Sequence, residues 1–192
     1  MTSRRSLLFL ITPFLCWLAF GPAPAAATVA IHLDDHTHAQ RSDLVVLATV
    51  RAQEVVRGED GRAYTHTTLE VERSLKGGQA KGTKVTVRQM GGTLDGKTLT
   101  IPGDAHFEPG ERVVAFLADR EPETGVVFLT AMGQSKYAVV GTSAERDLIL
   151  HRDLGGLLLL DAAHRSVHLN PITTLGAIET AITVMPPIEA RP

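Results

Sequence analysis

The chain has 192 residues, a formal net charge of −2, a single cysteine, and hydrophobic residues at 44% against charged residues at 21%. This is the make-up of one globular domain with an ordinary core. It excludes an intramolecular disulfide framework and a cysteine-ligated zinc site, and it offers no overall field to attract nucleic acid or an anionic membrane.

The first 27 residues read as an export signal. Arg4 and Arg5 supply the positive start, residues 6–20 are almost uninterruptedly apolar, and Ala25 and Ala27 have the small-x-small spacing of a peptidase site. A bilayer span needs about 20 apolar residues. This run is shorter and carries Pro13, so cleavage before Thr28 is expected, with a cut after Ala25 as the alternative. Cys16 has bulky neighbours and lies inside the run, unlike a lipidation site. Cleavage removes two arginines, no acid and every thiol, taking the net charge from −2 to −4. The mature chain, 28–192, is expected to be one domain in the periplasm or outside the cell, without stable membrane insertion.

A short helix is expected over 33–41, with acids early and Arg41 late. The valine-rich run 44–50 follows and suits a strand buried on both faces. Gly58-Glu59-Asp60-Gly61 signals a turn, and the alternation through Thr65, Thr67, Leu69 and Val71 predicts an antiparallel partner strand. Val85 and Val87 mark a third strand, broken by Gly91-Gly92. Asp95-Gly96 predicts a tight hairpin between residues 93–94 and 99–101. Pro102-Gly103 and Pro109-Gly110 bracket a loop containing Phe107; further strands are expected over 112–117, 126–131 and 137–140. Residues 148–150 and 157–160, flanking Gly155-Gly156, read as a last hairpin, and 173–183 as a helix ended by Pro186-Pro187. The expected fold is mainly β: a small antiparallel OB-like Greek-key barrel with a short helix near each end of the mature chain. Its core spans 42–141, followed by a C-terminal hairpin and helix over 147–183. Val46, Val71, Val114 and Phe116 are expected to be buried.

Ser42-Asp43-Leu44-Val45-Val46, Ala48-Thr49-Val50, Tyr64-Thr65, Leu69-Glu70-Val71, Leu75-Lys76-Gly77 and Phe107-x-Pro109-Gly110-Glu111 with Val114-x-Phe116-Leu117 together resemble the framework of netrin-like domains. These include the tissue inhibitors of metalloproteinases and a cysteine-free set of secreted bacterial proteins. The resemblance implies an OB-type barrel over 42–117 and, as one alternative, a protease-inhibitor-like role. Inhibitors of that family work through an amino-terminal cysteine and disulfides, which this chain lacks, so no inhibitory residue is carried over.

His32, Asp34, Asp35, His36 and His38 lie within seven residues. On a helix His32 and His36 would share a face, which makes His32, His36 and His38 the candidate ligands for a divalent metal. The bland reading is a polar, solvated helix face. His164 and His168 are also four apart, but the intervening Arg165-Ser166-Val167 lacks the glutamate of a zinc hydrolase. No serine sits in a nucleophile elbow; Gly133-Gln134-Ser135 comes nearest, and Ser135 reads as a turn residue before a strand. Glu70 and Glu72 should project from the wet face of a strand. The mature aromatics are Tyr64, Phe107, Phe116, Phe128 and Tyr137, too few and too apolar in setting for a single-strand nucleic-acid groove. No catalytic residue and no cofactor is expected. The function expected is a non-catalytic β-barrel module that binds a protein or cell-envelope partner, with a metal-binding protein or hydrolase using residues 32–38 as the competing reading.

Overall fold

The structure, a computed structural model, describes residues 27–118, 120–144 and 146–184. The expected export signal, apart from Ala27, and the Pro186-Pro187 helix stop lie outside the described residues. In chain order the elements are β1 (Thr28–Ile31), α1 (Asp35–Arg41), β2 (Leu44–Arg57), β3 (Ala63–Lys76), β4 (Lys84–Met90), β5 (Gly92–Leu94), β6 (Lys97–Leu99), β7 (Arg112–Ala118), β8 (Phe128–Leu129), β9 (Lys136–Thr142), β10 (Leu148–His151), β11 (Leu157–Leu160), β12 (Ile172–Thr174) and α2 (Leu175–Thr183).

The two apolar runs, β2 and β7, lie side by side in the middle of an eight-stranded sheet of order β12-β10-β9-β7-β2-β3-β4, with β8 paired to β7 off this path. Alternate side chains of these strands enter two different cores. Val46, Ala48, Val50, Val113 and Leu117 join Leu69, Val71, Val85, Val87 and Phe107 on one face. Val45, Leu47, Val114 and Phe116 join Ala39, Tyr137, Leu150, Leu175 and Ile178 on the other, where α1 and α2 cover the sheet. Burial on both faces is why these strands are apolar without interruption. Val46, Val71, Val114 and Phe116 are buried as expected. Both helices form near the expected places, each capped by a side-chain oxygen: Asp34 accepts from Thr37 N–H and Thr174 from Ala177 N–H.

Three expectations are corrected. The sheet does not pair into a closed barrel: its path runs open from β12 to β4, and one parallel bridge, Val87 to Val127, ties the β4 edge to the segment entering β8. Residues 148–150 and 157–160 are not a hairpin, because β10 pairs with β9 and β12 while β11 pairs in parallel with β1. The leucines of β11 are equally suited to either partner, so apolar pattern alone does not choose between them. Finally, β2 does not stop at Val50 but runs on to Arg57. The apolar run ends where burial ends; the pairing with β3 continues to Ala63, and the register shift between Val50 and Ala52 absorbs the change.

The Asp95-Gly96 turn forms as expected, but its second arm is β6 at Lys97–Leu99, directly after the turn, rather than 99–101. Asp95 at φ 51° and Gly96 at φ 72° both adopt the left-handed conformation that a two-residue primed turn requires. Gly103 and Gly133 meet where their loops cross: a Cβ on Gly133 would lie 2.7 Å from the Gly103 carbonyl oxygen. This close approach fixes the loop that walls the clefts described below.

Candidate binding site

The histidines do not assemble into one site. Because Asp34 is the helix cap, α1 starts at Asp35 and His32 lies off the helix, so the shared face expected of His32 and His36 is not formed. His36 is half-buried, while His38 points the other way into the core with no exposure at all. Its ring stacks on Phe116 at 4.3 Å between centroids, and its Nε2 lies 3.0 Å from Ser135 Oγ. The solvated-face reading is therefore corrected for His38. Burial, reinforced by the nearby Arg152 guanidinium, pushes its pKa down to about 3. Among the described residues no group of three or more His, Cys, Asp or Glu is arranged to hold a metal ion.

Ser135 closes a 3-10 turn over Met132–Ser135, immediately before β9. Its Oγ also accepts the Ala131 N–H at 2.6 Å. Both members of the Ser135–His38 pair are buried, and His38 Nδ1 has no partner among the described residues, so no carboxylate orients the ring. A serine nucleophile needs both access and an orienting group; this pair has neither and serves to pin α1 against the sheet. The neighbouring Gln134 does similar work. Its amide accepts from Leu33 N–H and donates to the Ile31 carbonyl, closing the edge of the chain just after β1.

His164 and His168 are both exposed beyond β11. Glu70 and Glu72 are each held by an arginine: Glu70 by Arg51 at 3.0 Å, Glu72 by Arg112 at 2.8 Å with Thr49 Oγ1 donating at 2.6 Å. These hydrogen bonds hold both carboxyls below their usual pKa, as befits structural pairs on an outer face.

What the sheet leaves unused is the far half of the β2–β3 hairpin. β7 pairs with β2 only from Leu44 to Thr49, and the Val50 N–H and C=O then bond to Glu111 and Gly110. Beyond that point β2 has β3 on one side only. The hairpin closes with Gly58 N–H on the Arg62 carbonyl. Counting back along an antiparallel ladder, Val56, Glu54 and Ala52 bond to β3, whereas Gln53, Val55 and Arg57 turn their N–H and C=O groups outward. No backbone hydrogen bond among the described residues uses those outward groups.

The inner face of this arm forms one wall of a cleft of about 390 Å³. Gln53, Val55 and Thr65 line the arm side; Leu99 and Ile101 follow from the β5–β6 hairpin, and Asp104 and Phe107 from the loop before β7. Val55, Met90 and Leu99 are each close to 40% exposed in this neighbourhood, while Phe107, at 1%, connects the region to the core. Arg57 pairs with Asp95, tying the β5–β6 hairpin to the arm. Asp104 also lines a second cleft of about 270 Å³, together with Glu108, Lys136, His151 and Asp153. Its Oδ1 accepts the Ala105 N–H at 2.8 Å, yet none of the ion pairs among the described residues involves it. Burial raises the Asp104 pKa above the ordinary carboxyl value.

Sequence reasoning passed over this region because its residues carry no motif: a strand edge and a loop aspartate become a site only once the chain is folded. The signal that was there is the polar run Arg51-Ala52-Gln53-Glu54, which continues a buried strand without a turn residue until Gly58. Compared with known proteins, the chain matches no family model, no curated protein and no solved structure.

Proposed function

We propose that this chain is an exported, non-catalytic β module that binds a protein or cell-envelope partner through the β2–β3 arm and the cleft beside it. The single observation that carries the reading is the half-strand of β2, residues 51–57, which extends past its β7 partner and presents an unpaired edge next to an apolar-floored cleft. Free edges are hazards that proteins normally shorten or cover. A seven-residue free edge supported by a fixed hairpin is better suited to recognition than to packing. Among the described residues no helix is long and apolar enough to cross a membrane.

The finer fold reading is an OB-like Greek-key arrangement of netrin type whose sheet path stays open from β12 to β4. In its support, the residues that carry the resemblance fall on the central strands: Leu44, Val45, Val46, Ala48, Leu69, Val71, Val114, Phe116 and Leu117 are all buried. The Val87–Val127 bridge brings the two ends of the β4-β3-β2-β7 segment toward each other through β8.

Export rests on the amino-terminal pattern. Thr28 suits a new terminus, since its N–H bonds to the Gly156 carbonyl at 2.8 Å and its Oγ1 to the Pro102 carbonyl at 2.5 Å. The intact mass of the exported protein is expected to correspond to a chain starting at Thr28. A mass that retains Cys16 overturns it.

The binding reading is tested by placing a photo-crosslinking residue at Val55 or, as a control, at Ile172. Ile172 is exposed on β12 at the opposite end of the sheet path. In the native envelope fraction a discrete adduct is expected from position 55 and none from position 172. Equal labelling from both, or none from either, rejects the arm as the binding surface.

A further inference from the structure

The geometry points to strand addition: an extended segment of the partner protein pairs with the free edge of β2 at Gln53, Val55 and Arg57 and sets a lysine or arginine side chain on Asp104. This deepens the binding reading above and rests on it. Three residues two apart, each turning an N–H and a C=O outward, are the half of a ladder that an incoming strand completes. The backbone groups supply affinity without regard to sequence; the alternate side chains of the added strand then face the cleft and supply selectivity.

Charge decides which side chains fit. Asp104 lines the larger cleft, and Asp104 and Asp153 line the smaller one. The cations nearby are already engaged: Lys136 with Glu111 and the His106 carbonyl, Arg57 with Asp95, and Arg51 with Glu70. Asp104 thus stands half-buried at the junction of the two clefts, without a cation of its own among the described residues. A charged carboxylate in that position gains most from an incoming ammonium or guanidinium. A second copy of this chain fits less well. The antiparallel register that uses all of residues 51–57 sets Arg51 against Arg57 twice and Glu54 against itself, and like charges directly opposite are destabilising.

The test uses the mature protein with two acetylated, amidated heptapeptides, one alternating valine and lysine, the other valine and glutamate. The lysine peptide is expected to bind and to slow hydrogen exchange at the Gln53, Val55 and Arg57 amides; the glutamate peptide is expected to bind at least about tenfold more weakly. Val55→Pro removes an N–H that the β2–β3 ladder does not use, and proline is tolerated on an edge. It is expected to weaken the lysine peptide by about tenfold or more while leaving β3 exchange unchanged. Asp104→Asn is expected to remove the preference for lysine over glutamate. Unaltered exchange at the three edge amides of the wild type, or undiminished binding to a folded Val55→Pro variant, overturns strand addition. Equal binding of the two peptides to the wild type overturns the cation assignment. A Val55 adduct that persists when the peptides fail leaves the general binding reading standing and removes this one alone.

Discussion

Truncating Phe116 to alanine is expected to cost about 3–5 kcal/mol of unfolding free energy, the range for a fully enclosed core phenylalanine. Phe116 has no exposure and sits on β7, opposite Val45 of β2. Its ring is covered by His38 on one side and lies 5.9 Å from the tilted ring of Tyr137. α1 closes over it and so cannot collapse into the vacancy without giving up the His38–Ser135 contact. The cavity term therefore adds to the lost transfer energy rather than being relaxed away. Urea unfolding of the mature protein measures it. A loss below about 1 kcal/mol would put the ring at the surface and overturn the register of β7 against β2.

That the place and burial of β7 were readable in advance, and the course of β11 was not, has a physical basis. Residues 44–50 of β2 and the whole of β7 are central in the sheet, so nearly every side chain there is apolar whichever core it enters, and a continuous run of such residues has few other solutions. β11 is four leucines of which one is buried, and it pairs with β1 more than a hundred residues away in sequence. Nothing in a four-residue pattern specifies so distant a partner. The burial of His38 turned on which face of α1 lies against the sheet, where its ring stacks on Phe116 and reaches Ser135. His38 and Ala39 face inward, and with Asp34 as the cap His32 stays outside the helix. Helix ends depend on a single side-chain oxygen, so their exact position is the least determined part of a sequence pattern. Asp104 was invisible for a different reason: its interest lies in what surrounds it, a β2 edge and two clefts, and neither exists in the unfolded chain.

Acid is expected to destabilise the protein through His38, beginning well above the range in which carboxylates titrate. The folded-state pKa is lowered from 6.5 to about 3, chiefly by burial and then by the positive charge of Arg152, with His32 and Arg41 acting in the same direction and Asp34 opposing them. The guanidinium that contributes is itself buried, 4.8 Å over the Tyr137 ring and 3.7 Å from Asp35 Oδ1. Since the folded pKa lies below the unfolded one, the unfolded chain binds the extra proton between the two values. Stability is complete above pH 6.5 and falls as the pH drops toward 3, at about 1.4 kcal/mol per pH unit. Between pH 6.5 and pH 5 the loss amounts to about 2 kcal/mol. The lowered carboxylates, Glu72 held by Arg112 and Asp34 held by the Thr37 N–H, begin to withdraw their own contributions only below about pH 4.5, so the upper window belongs to histidine. His38→Gln abolishes the titration while keeping a polar group near Ser135. The variant is expected to be less stable at pH 7 but to lose the slope between pH 6.5 and pH 5. Urea midpoints at half-unit pH intervals distinguish the two chains; a slope that survives in the variant, or is absent from the wild type, would show that His38 is not the buried neutral imidazole on which α1 is seated.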